Sequence, residues 1–149
     1  MSSKDEILGL LNRYSYTVDG GDLDGFAALF AKGEWSVAGN APSRGARAVH
    51  ENILSKIILY PDGTPRTRHV NTNIELVIDE QNGTARGERY VTVLQGTDGF
   101  PLQTIFSGHY HDEFVREDGA WRFASTVVHG PLMGDMSRHL RMTDFVETP

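Results

Sequence analysis

His69 and Asp19 are the two residues of this chain whose types and settings point to proton transfer. Histidine is the side chain whose ordinary pKa puts its proton in play near neutral pH. His69 sits in the polar run Pro65-Arg66-Thr67-Arg68-His69-Val70-Asn71-Thr72-Asn73, which feeds straight into Ile74-Glu75-Leu76-Val77-Ile78, a stretch that alternates as a strand does. A polar strand start entering an apolar strand suggests a sheet that lines a cavity. Asp19 lies far upstream, at the end of an amphipathic helix. A carboxylate bonded to an imidazole fixes its tautomer and stabilises the imidazolium formed on proton abstraction, and a base so placed contributes ~10²–10⁴-fold to a rate. Each residue has a plainer reading as well: Asp19 as a turn acid at a helix end, His69 as part of a polar sheet edge.

His109 and His111 raise a different chemistry. Alternate histidines share a strand face and can hold a metal ion. Sequence spacing places no acid or third histidine beside them to complete a site, so no metal and no cofactor are expected. The chain also lacks the glycine-rich loop that cradles phosphates. Without a single cysteine, disulfides and thiolate chemistry are excluded.

The elements that must position these groups follow in order. Ser3, with Glu6 three positions on, has the form of a capping box. Ile7, Leu11, Tyr14 and Val18 then recur at helical spacing, and Gly20-Gly21 stops the helix just after Asp19. Asp22 caps a second, shorter helix carrying Leu23, Phe26, Ala27, Leu29 and Phe30, with Asp24 a solvated acid, so the chain opens on a helical hairpin. Glu34–Ala38 reads as a short strand and residues 39–45 as a loop. A third helix is expected over about Ala46–Leu59, with Val49, Ile53, Leu54, Ile57 and Ile58 inward. Strands are expected at Thr67–Ile78, Thr84–Gln95, Leu102–Arg116 and Ala120–His129, joined by turns at Gln81-Asn82-Gly83, Thr97-Asp98-Gly99 and Glu117-Asp118-Gly119. Beyond Pro131 the pattern is ambiguous, although Met133, Met136, Leu140, Met142 and Phe145 could cover something apolar.

Helices first and a meander of long strands after is an α+β order. It predicts a cone-shaped barrel over 1–149 as one domain, with N-terminal helices packed in a curved, mostly antiparallel sheet and a pocket at the open end. Alternation places Phe106, Gly108, Tyr110, Asp112 and Phe114 inward and Ile105, Ser107, His109, His111 and Glu113 outward. It leaves open which face of the preceding strand, the one with Arg89 and Val91 or the one with Glu88 and Tyr90, looks inward. Trp35, Trp121 and Phe123 are expected to serve packing. An outer face carrying Ile105, His109 and His111, with Trp121, Phe123 and Val127 beside them, would be too apolar for solvent. A homo-oligomer, dimer or trimer, is therefore expected.

Hydrophobic content of 39% and charged content of 23% fit a soluble globular chain, and a net charge of −6 with no basic cluster argues against a nucleic-acid partner. No apolar run nears bilayer-spanning length and the polar start lacks a signal-peptide core, so no membrane association and a cytoplasmic location are expected.

Three pieces resemble the SnoaL-like branch of the nuclear transport factor two-like superfamily, across nearly the whole chain: Tyr14-Ser15-Tyr16-Thr17-Val18-Asp19-Gly20-Gly21-Asp22-Leu23-Asp24, Arg66-Thr67-Arg68-His69, and Gly108-His109-Tyr110-His111-Asp112-Glu113-Phe114 followed by Asp118-Gly119-Ala120-Trp121-Arg122-Phe123. The first and third speak for the fold. The pair Asp19 and His69 resembles the Asp/His dyad of scytalone dehydratase, hexachlorocyclohexane dehydrochlorinase and the bile acid dehydratases, which eliminate water or chloride from small cyclic substrates without a cofactor. Where scytalone dehydratase has a second histidine, a serine and an asparagine, this chain has Gln95, Asp112 and Phe114, and where the dehydrochlorinase has an arginine it has Thr126. The base is retained and the groups that help a leaving group are not, unless Arg89 replaces them.

The resemblance implies a lyase of dehydratase type, or an isomerase or cyclase, acting on a small cyclic or polyketide-like molecule. Asp19 and His69 would be catalytic, and Tyr14, Arg89, Val91, Tyr110, Asp112, Phe114, Thr126 and Val128 would contact the substrate. A binding module of the same fold would keep the pocket without the dyad. An accessory subunit, like the small subunit of ring-hydroxylating dioxygenases, would show a large surface for another chain.

Overall fold

The stripe Ile7, Leu11, Tyr14 and Val18 is fully buried in a computed structural model of the chain, which describes residues 1–141. It runs down helix α1 (Ser3–Asp19). Burying each such side chain contributes roughly 1.5–3 kcal/mol. Ser2, not Ser3, caps this helix: its Oγ accepts from the Asp5 amide at 3.1 Å. Asp22 caps α2 (Leu23–Ala28) through the Gly25 amide at 2.9 Å, as expected. After β1 (Glu34–Val37) the presumed loop contains a two-residue strand, β2 (Ser43–Arg44). Helix α3 (Gly45–Lys56) ends earlier than its sequence pattern suggests, because Ile57 turns extended and bridges to Leu140. Leu54 faces solvent rather than the core.

The remaining strands are β3 (Thr67–Asp79), β4 (Thr84–Thr97), β5 (Phe100–Glu117) and β6 (Ala120–Met133). They form one six-stranded sheet in the order β2-β1-β6-β5-β4-β3, antiparallel except where β1 runs parallel to β6. The sheet curls into an open cone around α1, which packs against β3 and β6. Five register shifts interrupt its ladders, and three of them matter most for facing. Two residues, Asn73 and Ile74, oppose Arg89 alone; Ile105 is an extra residue between the pairs Val93–Phe106 and Leu94–Thr104; Ala124 is extra between Glu113–Ser125 and Phe114–Phe123. Such bulges kink a strand and raise its twist.

The bulges also reset which side chains point inward, and this overturns part of the alternation reading. Ile105 is buried beside Phe106 instead of lying outside. Trp121 and Phe123 face the core, while beyond the bulge at Ala124 it is Thr126 and Val128 that do. Phe123 stacks on Phe30 at 5.0 Å and lies 5.1 Å from Phe114, giving the core an aromatic centre. The outer face thus lacks the tryptophan, phenylalanine and isoleucine that prompted the expectation of an oligomer. It shows Val70, Val77, Tyr90 and Leu132 among polar and charged residues.

Candidate active site

The polar start of β3 is a docking strip for α1. Thr67, His69 and Asn71 alternate onto the inner face, and each meets the helix. Thr67 Oγ1 donates to Asp19 Oδ1 at 2.8 Å, the His69 amide donates to Asp19 Oδ2 at 2.7 Å, and Asn71 Nδ2 donates to the Leu11 carbonyl and Ser15 Oγ, both at 3.2 Å. The turn after Asp19 is pressed against the segment before β3. Gly21 adopts φ +74°, and a Cβ there would stand 1.9 Å from the Gly63 carbonyl oxygen, so only glycine fits.

The same contacts bring Asp19 and His69 together. Asp19 Oδ1 lies 2.6 Å from His69 Nδ1, and both side chains are nearly closed off, at 9% and 8% exposure. With Nδ1–H donated to the carboxylate, the lone pair sits on Nε2. Burial by itself would raise the pKa of Asp19. The ring hydrogen bond and charge of His69, its backbone amide and the Thr67 hydroxyl outweigh that and hold the carboxyl below its usual value.

His69 forms part of the wall of a cavity of ≈ 80 Å³. That is room for a few waters or a small ligand group. The wall is mostly apolar, with Val18 from α1, Phe26 from α2, Val93 and Phe106 from the cone, and Trp35 and Ile53 from the elements that lean over it. Tyr14 and Tyr110 contribute hydroxyls. Tyr14 accepts from Trp35 Nε1 at 2.9 Å, and the Tyr14 and Tyr110 rings meet edge to face with centres 6.1 Å apart. Burial pushes the Tyr14 phenol up to about 12, against the pull of Arg89, and lifts Tyr110 well above its ordinary value, so both remain protonated donors at neutral pH.

Of the other expected contacts, Arg89 does turn inward, but it stays behind the tyrosines. Its guanidinium carbon sits 4.7 Å from the Tyr14 ring centre and 5.0 Å from that of Tyr110. Asp112 takes Nε at 2.8 Å and Nη2 at 3.2 Å, Asn71 Oδ1 takes Nη1 at 2.9 Å, and Thr126 Oγ1 donates to Asp112 Oδ1 at 2.6 Å. Burial would lower the pKa of Arg89, but the charge and hydrogen bonds of Asp112 more than reverse this and keep it charged. Arg89, Asp112 and Thr126 thus form a closed ionic floor, and Val91, Phe114 and Val128 fill the core around it; none of the six reaches the cavity wall.

Sequence reading missed the mouth of the cavity. After β6 the chain folds back as a strap. Gly134 N donates to the Ile105 carbonyl at 2.7 Å, Ile58 N to the His139 carbonyl at 2.9 Å and Arg141 N to the Lys56 carbonyl at 2.8 Å. Gln95 Nε2 ties the Pro65 and Arg138 carbonyls together, each at 3.0 Å. Met136, His139 and Leu140 complete the cavity wall, so the expectation of apolar cover holds for Met136 and Leu140, while Met142 and Phe145 lie outside the described residues. Nothing in the composition of this segment marks His139. Its ring centre is 6.4 Å from that of His69, and its Nδ1 is buried without a hydrogen-bond partner among the described residues.

Burial, reinforced by charge on His69 and opposed by Asp19, lowers the pKa of His139 to about 3. A released strap restores the ordinary value near 6.5, so the open state binds the proton first. The contribution of neutral His139 to closure is complete above pH 6.5 and is lost as pH falls from there toward 3. At pH 5 the closed strap should be weaker by about 2 kcal/mol. Amide hydrogen exchange of Ile58 and Arg141, corrected for intrinsic rates, is expected to speed up between pH 7 and pH 5, and His139→Leu should flatten that dependence. Equal protection at the two pH values in the unaltered protein would contradict it.

Among the described residues, one group of histidine and acidic side chains is close enough to share an ion. It comprises Glu88, His109 and His111, on the outer face away from the cavity. No helix in the described residues is long and apolar enough to cross a membrane.

The fold has clear relatives. A protein of unknown function from Mycobacterium tuberculosis, Rv3472, superposes with a TM-score of 0.70 at 25% identity, over 85% of this chain and 70% of that one. Aln2 from a Streptomyces species gives 0.68 at 22% identity, over 87% and 92% of the two chains. LinA gives 0.68 at 19% identity, over 99% and 94%. No curated protein sequence matches the chain. The model of one family, the SnoaL-like domain, matches residues 1–127. The strap with His139 lies past the end of that match, but Asp19, His69 and the cone that unites them lie within it, and the chain belongs to the SnoaL-like domain family.

Proposed function

We propose that the chain is a cofactor-independent enzyme of the lyase or isomerase type that removes a proton from carbon in a small cyclic or polyketide-like substrate. The observation that carries this reading is the 2.6 Å contact between Asp19 and His69 Nδ1 at the wall of an apolar cavity. A binding module of the same fold needs the pocket but not the pair, and here the two side chains meet. In the proposed reaction, His69 Nε2 takes a proton from the carbon next to a carbonyl. The electron pair moves into the carbonyl, and the Tyr14 hydroxyl, its oxygen already accepting from Trp35, donates to the developing oxyanion. Imidazolium forms beside ionised Asp19, which stabilises it. In a dehydratase the enolate then expels hydroxide from the adjacent carbon, and the proton on His69 leaves with it as water; in an isomerase the same proton returns to a different carbon. Neutral His139, whose Nδ1 has no hydrogen-bond partner among the described residues, lines the cavity from the strap as a second hydrogen-bonding group.

Small cyclic β-hydroxy ketones offered in deuterated buffer test the first step directly. Deuterium is expected to enter the carbon next to the carbonyl, by nuclear magnetic resonance, faster with the protein than with buffer, and His69→Ala should return the rate to that of buffer. Equal exchange by folded His69→Ala would remove His69 as the base. A molecule extracted from the purified protein that has no acidic C–H would favour a binding role instead.

A further inference from the structure

We propose that Glu88, His109 and His111 form a binding site for a divalent transition-metal ion, Zn²⁺ foremost, on the outer face of the sheet. Strand pairing supplies what sequence spacing lacked. His109 and His111 lie two residues apart on β5 and so share a face, and Glu88 on β4 stands opposite His111 in the register. The two imidazoles converge on one oxygen. Glu88 Oε1 is 3.1 Å from His109 Nε2 and 3.3 Å from His111 Nε2, and the three ligand atoms all lie within 4.8 Å of one another. Ligands bound to zinc at 2.0–2.2 Å in a tetrahedron are separated by about 3.3–3.5 Å. Two edges of the trio already have about that length, and a small rotation of exposed side chains closes the third.

The chemistry of the donors selects the ion. Two neutral imidazoles and one carboxylate suit zinc, nickel and copper rather than magnesium or calcium, which prefer all-oxygen shells. The side chains are 41%, 47% and 53% exposed for His109, His111 and Glu88, so an ion can enter from solvent and keep water in its open positions. A third imidazole stands alongside: His129 on β6 pairs with His109, and its ring centre lies 4.4 Å from that of His111. Three adjacent strands therefore present one imidazole-rich surface. The sheet itself, braced by the aromatic core behind it, holds the donors in place.

The site is separate from the proposed catalytic pair. His109, His111 and Glu88 point away from the cavity, and none contributes to its wall. A resident ion would cross-brace β4 and β5 on the outer face. It would also offer open coordination positions to a donor from another molecule.

The test uses tag-free, chelator-treated protein titrated with Zn²⁺ alone, and then with Ni²⁺ alone, in an isothermal calorimeter. Saturable binding of one zinc per chain is expected. Glu88→Gln should weaken it at least about tenfold and the double substitution His109→Ala/His111→Ala should abolish it. His50 is a surface histidine whose Nε2 meets a single carboxylate, Asp24 Oδ1, at 3.1 Å. His50→Ala should leave zinc binding unchanged. Circular dichroism checks that each variant is folded, which these exposed positions should allow. Absence of saturable binding up to millimolar zinc would overturn the proposal, as would binding that survives the double substitution or is lost in His50→Ala.

Discussion

His69→Ala is expected to lower turnover of an identified substrate by about 10²–10⁴-fold, the usual worth of a positioned general base. Asp19→Asn should cost nearly as much, for a reason visible in the hydrogen bonds. One carboxylate oxygen takes the His69 backbone amide, and the other takes both Thr67 Oγ1 and His69 Nδ1. An amide in the same place offers only one oxygen. If that oxygen keeps the backbone amide, the new NH₂ faces Nδ1, and the ring must accept there and carry its proton on Nε2, where the base is needed. If it turns to Nδ1, two donors collide at the backbone. The side chain keeps its size, so the fold should survive, as circular dichroism can show. Since the two residues act as one unit, the double variant should be little slower than the slower single variant. Full turnover in folded Asp19→Asn, or losses that simply multiply, would remove the dyad from the mechanism.

Asp112→Ala is expected to destabilise the protein by about 3–5 kcal/mol, because it leaves Arg89 charged and unpaired in the core. For a chain of this size that corresponds to a fall in Tm of roughly 6–20 °C. Arg89→Met should do comparable harm by stranding the Asp112 carboxylate with Thr126 as its remaining hydrogen-bond partner among the described residues. Combining Arg89→Met with Asp112→Leu removes both charges at once, and the double variant should be more stable than either single one. Urea denaturation of the four proteins measures this. Single variants that lose less than about 1 kcal/mol, or a double variant with the summed loss, would mean that the pair is not the closed ion pair its geometry indicates. The catalytic consequence is a separate readout, since Arg89 underlies the rings of Tyr14 and Tyr110 and its loss changes the field at their hydroxyls.

Local pattern was enough for a good part of this protein. The spacing of Ile7, Leu11, Tyr14 and Val18 determined α1 and its buried face, because a helix places residues three to four apart on one side whatever it packs against. Gly20-Gly21 determined where that helix ends and therefore that Asp19 sits at its tip. The three turns determined the meander, since few residues tolerate their backbone. The odd polarity of the strand start around His69 marked the site before any partner was known, although it took the fold to show that Thr67 and Asn71 dock the helix and that His69 alone of the three reaches the cavity.

What remained depended on distances between residues far apart in the chain. Alternation could not foresee the bulges at Ile105 and Ala124, and one inserted residue reverses the facing of everything on one side of it. That is why Trp121 and Phe123 lie in the core and the outer face is more polar than expected. Arg89 was a candidate for the substrate site, but only the tertiary structure gives it Asp112 and Asn71 as partners and seals it beneath two tyrosines. Glu88 joins His109 and His111 through strand register, which no spacing along the chain encodes. His139 comes to the cavity on a strap held largely by backbone hydrogen bonds, and those are blind to side-chain type. Sequence alone thus pointed to Asp19, His69 and the elements that carry them, because those elements rest on local periodicity and turn chemistry. The cavity, its floor and its cover were decided by the fold, because they rest on which surfaces meet.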